Sequence, residues 1–92
     1  MIAWRLIVRG RVQGVGYRDA LIRCATALGV AGWVRNRSDG TVEALVQGEA
    51  DAVARLREWC RGGPPAARVT EIATVAVDAD PAITGFECRR TE

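Results

Sequence analysis

The feature that most constrains the fold is a glycine-rich segment between a strand pattern and a helix pattern. In residues 2–9 the larger apolar side chains alternate along the chain, which predicts a strand. Residues 10–16 hold three glycines in seven positions, which indicates a loop with unusual backbone angles. Residues 17–28 then predict a helix with one apolar stripe. The stripe consists of Leu21, Cys24, Ala25 and Leu28.

The rest of the chain continues this alternation of strands and helices. We predict strands over residues 31–37, 41–47, 69–78 and 84–90, and a second helix over residues 50–61. Asp39-Gly40 is a strong hairpin signal between two of these strands, and Asp80-Pro81 predicts another turn. The order is βαββαβ with a further short strand. This order favours an α+β two-layer sandwich, an antiparallel sheet with both helices on one face.

The size and charge of the chain exclude several classes of protein. Its 92 residues suffice for one compact domain, residues 1–92, and 49% of them are hydrophobic, enough for a core. The net charge of +2 gives no argument for nucleic acid or a membrane surface. No apolar run is long enough to span a bilayer, and the N-terminus lacks the layout of a signal peptide. We therefore expect a soluble cytoplasmic monomer that is a whole protein, not a fragment.

Cysteine and histidine limit the chemistry. The three cysteines, Cys24, Cys60 and Cys88, form neither a disulfide framework nor a zinc motif. We expect all three to be small buried residues. The chain has no histidine, so the commonest general base is absent.

Two segments carry candidate chemistry. The backbone N–H groups of the glycine loop and the start of the following helix can converge on a phosphate, and Arg18 adds a cationic fork. The loop lacks the end of a Walker A motif, and taken alone it fits an ordinary strand-to-helix turn better than a phosphate site. Asn36 precedes the hairpin, where an asparagine usually serves turn hydrogen bonding.

Together these segments resemble the acylphosphatase family. The likeness covers nearly the whole chain and is carried by GRVQGVGYR at residues 10–18, GWVRN at 32–36, DGTVE at 39–43, and GPP at 63–65 followed by ARV at 67–69. The resemblance implies a ferredoxin-like βαββαβ sandwich and an enzyme that hydrolyses acyl phosphates. It also implies that Arg18 binds the phosphoryl group and Asn36 orients the attacking water. The phosphate would rest on the backbone amides of Gln13, Gly14, Val15, Gly16, Tyr17 and Arg18.

This chemistry makes few demands on an enzyme. The leaving carboxylate has a pKa of roughly 4, so it departs without a protonating acid. Positioning and electrostatics then supply most of the catalysis. We expect no metal, no cofactor, no covalent intermediate, and a small acyl phosphate as the only partner.

Three positions depart from some relatives, and two other functions remain open. Gly16 stands where some members carry an aromatic residue. Arg37 follows Asn36 in place of a small hydroxyl residue and is expected to face solvent. The C-terminus lacks an aromatic end that would contact Arg18.

One alternative function is a binding module that keeps the fold without activity. The other is RNA binding, which shares the βαββαβ order but requires exposed strand aromatics in a characteristic string that this chain lacks.

Overall fold

A computed structural model describes residues 1–92 and shows a five-stranded sheet with two helices. The elements are β1 (Ile2–Arg11), α1 (Tyr17–Leu28), β2 (Ala31–Asn36), β3 (Val42–Gly48), α2 (Ala50–Cys60), β4 (Arg68–Val77) and β5 (Phe86–Cys88). The spatial order of the strands is β4-β1-β3-β2-β5. All neighbours are antiparallel except β2 and β5, which run parallel. The predicted fold class, a ferredoxin-like two-layer sandwich, is confirmed.

The core lies between one face of the sheet and the two helices. Alternate residues of the central strands point into it, because side chains in a strand change face at every position. Its 14 buried members are Leu6, Val8, Val12, Tyr17, Leu21, Ala25, Val30, Val34, Val42, Ala44, Val46, Val53, Leu56 and Cys60. Neither helix is both long and apolar enough to cross a membrane.

The end of β1 corrects the first loop boundary. Gly10 was placed in the loop, but it lies in β1 at a register shift in the pairing with β4. Its φ of 123° belongs to glycine, and a Cβ at this position would overlap the Arg68 carbonyl oxygen. The strand therefore continues to Arg11, and the loop begins only at Val12.

The other predicted boundaries agree to within about two residues, as is usual for element ends. Strand β5 is shorter than expected, starting after Gly85 with its φ of 71°. Pairing with β2 nevertheless continues beyond it, because Arg89 N–H donates to Val34 O at 2.8 Å and Glu92 N–H to Asn36 O at 3.1 Å.

The cysteine prediction holds for one residue of three. Cys60 is fully buried, and burial raises the pKa of its thiol to about 12. Cys24 is only partly buried. Cys88 is exposed, so the prediction is wrong there, because it lies on an edge strand beside the opening described below. All three are free thiols.

The open face of the sheet carries a buried carboxylate between two arginines. Glu43 accepts hydrogen bonds from Arg5 at 2.6 Å and Arg35 at 2.7 Å, and its side chain is 4% exposed. Burial pushes the pKa of Glu43 upward, but the Arg35 and Arg5 hydrogen bonds outweigh it and hold that pKa below the usual range. The three residues tie β1, β3 and β2 together across the sheet.

We predict that Glu43 makes the free energy of unfolding depend on pH in the acidic range. Its pKa is lower in the folded state, so its contribution is complete above roughly pH 4.3, the unfolded value, and disappears as the pH falls through the folded pKa. Glu43→Gln should lower the free energy of unfolding at neutral pH by about 1–3 kcal/mol and flatten its fall on acidification. Urea unfolding across pH measures both effects. The exposed Glu87→Gln is the control, and equal profiles for both variants would contradict the assignment.

Candidate active site

A short loop, residues 12–16, joins β1 to α1. Gly14 and Gly16 take left-handed backbone angles, with φ of 73° and 80°. Gly16 is the N-cap of α1 and offers no side-chain acceptor to the first turn. The first helical bond runs from Ala20 N–H to Gly16 O, so the preceding amides have no backbone acceptor. These donors lie at the positive end of the helix dipole, an arrangement that suits an anion such as phosphate.

A pocket of about 180 Å³ opens over this loop. It is lined by Val12, Gly14, Gly16, Tyr17, Arg18 and Asp19. Arg18 is the one cationic side chain in that lining, and it forms no ion pair with any carboxylate. Val12 is buried in the core and Val15 packs against its edge, so the loop is anchored by its valines while its glycines face outward.

The side chain of Gln13 points away from the pocket, toward the hairpin between β2 and β3. Its Nε2 donates to Arg37 O at 2.8 Å and to Thr41 O at 2.9 Å. Only the backbone amide of Gln13 is therefore available to a phosphate.

The side chain of Tyr17 is also structural. Its hydroxyl donates to Cys60 O at 2.7 Å, and its ring lies 5.7 Å from that of Trp59, so it joins α1 to α2. Burial, ahead of the influence of Cys60, raises the pKa of Tyr17 well above its usual value. Its phenol is therefore a poor proton donor for chemistry in the pocket.

Strand pairing brings Arg18 to the part of the sheet that carries Asn36. Arg18 Nη1 lies 3.5 Å from Cys88 Sγ, and Cys88 pairs with Val34. Asn36 is two residues beyond Val34 on the same strand, hence on the same face and roughly 7 Å further along. The cation and the amide thus lie on the helix side of the sheet, at one end.

Asn36 Oδ1 is buried and has no hydrogen-bond partner. Such an atom is costly to leave unpaired, so a donor would stabilise it, although Asn36 is not among the residues that line the pocket over the loop. A water molecule held here would have its orientation set by an amide that cannot readily remove its proton.

The predicted hairpin after Asn36 is confirmed. Arg37 N–H donates to Thr41 O at 2.9 Å, and Asp39 accepts from both the hydroxyl and the N–H of Thr41. These two bonds hold the pKa of Asp39 below its usual value. The expectation that Arg37 faces solvent holds in part: its side chain lies on the open face, away from the pocket, but it is 29% exposed and lies 3.8–3.9 Å from Asp39, Glu43 and Glu92. It neither extends freely into solvent nor adds charge to the pocket.

Comparison with known proteins identifies the family. The acylphosphatase family model matches residues 4–88. The chain belongs to the acylphosphatase family. An acylphosphatase of Acidiphilium cryptum is 55% identical over 91 residues, 99% of each chain. The crystal structure of the acylphosphatase from Bacillus subtilis superposes with a TM-score of 0.92 at 37% identity, covering 97% of this chain and 99% of that one. Since acylphosphatases are enzymes, the chain is a member of an enzyme family.

The acylphosphatase fold also occurs within longer chains. Full-length HypF, solved in a phosphate- and nucleotide-bound form, contains a region matching all of this chain with a TM-score of 0.85 at 25% identity. That region is 12% of the HypF chain, whereas the matches to the two acylphosphatases run essentially end to end.

Two contacts at this site, Arg18 with Cys88 and Gln13 with the hairpin, were not predicted from the sequence. The contact of Cys88 with Arg18 depends on the parallel pairing of β5 with β2, for which the sequence carries no local signal. The bridge from Gln13 had a signal, since a long polar side chain in a glycine loop usually has a partner. Cys88 of β5 is the residue near the C-terminus that contacts Arg18, while Glu92 Oε2 lies on the other face, 3.1 Å from Arg35 Nη2.

We predict that Tyr17→Phe affects stability and spares the pocket. Loss of the hydroxyl leaves the Cys60 carbonyl without this donor, so the free energy of unfolding should fall by about 1–2 kcal/mol. Thermal unfolding measures this loss, and titration with inorganic phosphate at a temperature where both proteins are folded should give unchanged affinity. Weakened phosphate binding at unchanged stability would contradict a structural role.

Proposed function

We propose that this member of the family hydrolyses the carboxyl–phosphate bond of small acyl phosphates, with Arg18 binding the phosphoryl group and Asn36 orienting the attacking water. One observation carries the proposal. The unbonded loop amides and the unpaired guanidinium of Arg18 share one end of the sheet with the unpartnered Oδ1 of Asn36. Anion binding and water placement are the two functions that such chemistry needs.

The proposed reaction begins with the phosphoryl group in the loop. Backbone N–H groups from Gln13 to Arg18 and the Arg18 guanidinium stabilise the charge on its three equatorial oxygens. A water molecule that donates to Asn36 Oδ1 attacks phosphorus in line. The bond from phosphorus to the carboxyl oxygen breaks, the carboxylate leaves with the electron pair, and the proton of the water passes to a phosphate oxygen.

The nature of the leaving group follows from what surrounds the pocket. The chain has no histidine, and the phenol of Tyr17 is buried with a raised pKa. A leaving group that must be protonated would receive little help, whereas a carboxylate, with a pKa of roughly 4, needs none. The low pKa of the leaving carboxylate thus favours acyl phosphates over phosphate esters. The same property is shared by acetyl, carbamoyl and larger acyl phosphates.

We further propose a monomeric cytoplasmic enzyme of one domain that binds neither nucleic acid nor membranes and needs no cofactor. The arrangement around Trp33 supports the absence of RNA binding. Trp33 lies on the open face, but the guanidinium groups of Arg35 and Arg89 each stack 4.9 Å from its ring. A ring already covered by cations offers little surface for base stacking.

We predict separate effects for the two proposed catalytic residues in a benzoyl phosphate assay without added metal. Arg18→Ala should lower kcat/KM by about 10²-fold or more and weaken competitive inhibition by phosphate, because it removes a charge-assisted anion contact. Asn36→Ala should lower kcat about 10²-fold while the phosphate Ki changes less than about twofold, because only the water loses its partner.

Arg23→Ala is the matched control, since Arg23 is an exposed arginine of the same helix and should leave both parameters unchanged. Tight phosphate binding without turnover in the wild type would instead support the inactive binding module. Equal loss of kcat and phosphate affinity in Asn36→Ala would contradict the division of roles.

A further inference from the structure

The side chain of Gln13 connects the two halves of the site. Its Nε2 donates at 2.8 Å to Arg37 O and at 2.9 Å to Thr41 O. Both N–H groups of the amide are thereby used. The two acceptors flank the hairpin turn, which Arg37 N–H closes by its own bond to Thr41 O. Since Arg37 directly follows Asn36, the Gln13 amide holds the backbone one peptide away from Asn36.

The backbone of the same residue belongs to the glycine loop. Gln13 lies between the buried Val12 and the left-handed Gly14. Any shift of the hairpin relative to the loop must therefore stretch the two Gln13 bonds. These are the only side-chain hydrogen bonds between the loop and the hairpin.

Asn36 depends on such support because its own Oδ1 has no partner in the protein. The position of its side chain follows from its backbone, which accepts from Glu92 N–H at 3.1 Å and pairs with Val42. It is the last residue of β2, and backbone bonds continue beyond it, from Arg37 N–H to Thr41 O and from Ser38 N–H to Glu92 O. The hydrogen bond from Gln13 Nε2 to Arg37 O is thus the restraint that links the backbone beside Asn36 directly to the loop.

We propose that Gln13 is a positioning residue: its side-chain amide sets the distance between the phosphate-binding loop and the water held by Asn36. This inference rests on the proposed hydrolysis of acyl phosphates. In-line attack tolerates little displacement of the water, so a loosened hairpin reduces turnover before it reduces anion binding. Two carbonyl acceptors require a donor here, and an ionised glutamate would instead present oxygens to both of them.

The chain offers a matched control in Gln47. Its Nε2 donates to Asp80 O at 2.7 Å, and its Oε1 accepts from Asp80 N–H at 3.0 Å. It is a buried glutamine that bridges to a turn, like Gln13, but it lies at the opposite end of β3 from Thr41. Replacement by methionine keeps most of the volume and removes the hydrogen bonds at either position.

The test is a double-mutant cycle on benzoyl phosphate turnover, with Gln13→Met, Asn36→Ala, their combination and Gln47→Met. Gln13→Met should lower kcat about tenfold, with the phosphate Ki changed less than about twofold. In the Asn36→Ala background it should change kcat by less than about twofold, because no positioned water remains. Gln47→Met should lower thermal stability but leave kcat unchanged below its unfolding transition.

Several results would overturn the assignment. One is a loss of kcat from Gln13→Met that is just as large in the Asn36→Ala background. Another is a rise in the phosphate Ki of Gln13→Met as large as its loss of kcat. A third is an equal loss of kcat in Gln47→Met. The proposed function is tested separately, by wild-type turnover and its loss in Asn36→Ala. A readout independent of turnover is the NMR resonance of the Asn36 side-chain amide. Phosphate should shift it in the wild type and Gln47→Met but not in Gln13→Met, and an equal shift in all three would contradict the proposal.

Discussion

Strand β1 is hydrogen-bonded along both edges, to β3 on one side and β4 on the other, and the site depends on this pairing. A central strand cannot shift its register without moving its apolar residues to the wrong face. The point where β1 ends is therefore set by the whole sheet. At that end Gly10 passes close to β4, and the chain then turns through two left-handed glycines into α1. The position of the glycine loop is thus set by sheet pairing.

The arginines on the two faces of the sheet differ in whether they have carboxylate partners. On the open face, Arg5, Arg35 and Arg37 all lie within 4 Å of carboxylates, with Glu43 at the centre. On the helix side, Arg18 contacts a thiol and no carboxylate. A guanidinium without an internal counter-ion keeps its attraction for an external anion. Alternation of side chains along the strands keeps Arg5 and Arg35 on the open face, whereas Arg18 lies on the other side of the sheet because it belongs to α1.

Gly16 occupies an open position beside the pocket. Gly16 is the N-cap of α1 with a left-handed φ, and a Cβ there would meet no atom within 4 Å. The space beside the loop therefore admits a larger residue, and the cost of one is backbone strain without a steric clash. Cys88 Sγ lies 3.5 Å from Arg18 Nη1, so the contact that Arg18 makes with the last part of the chain comes from β5.

Local signals in the sequence predicted most of the fold. The alternation of apolar residues, the helical stripes, the glycines and the Asp39-Gly40 turn each act over a few residues, so the elements and their order could be derived from them. Resemblance of two motifs to one family then selected Arg18 and Asn36, and the family itself is confirmed. The roles of the two residues stay predictions.

Other features required long-range pairing, which no short stretch of chain encodes. The parallel contact of β5 with β2 decides that Cys88 reaches Arg18 and is exposed. The hydrogen bonds from Gln13 to Arg37 and Thr41 span 24 and 28 residues along the chain. They place the side chain of Gln13 against the hairpin, while its backbone N–H remains part of the loop. The sequence by itself determined the elements, the turn chemistry and the candidate residues, since those depend on neighbours along the chain. Tertiary structure alone decided which side chains face the pocket over the glycine loop, because that depends on register and on partners far away in sequence.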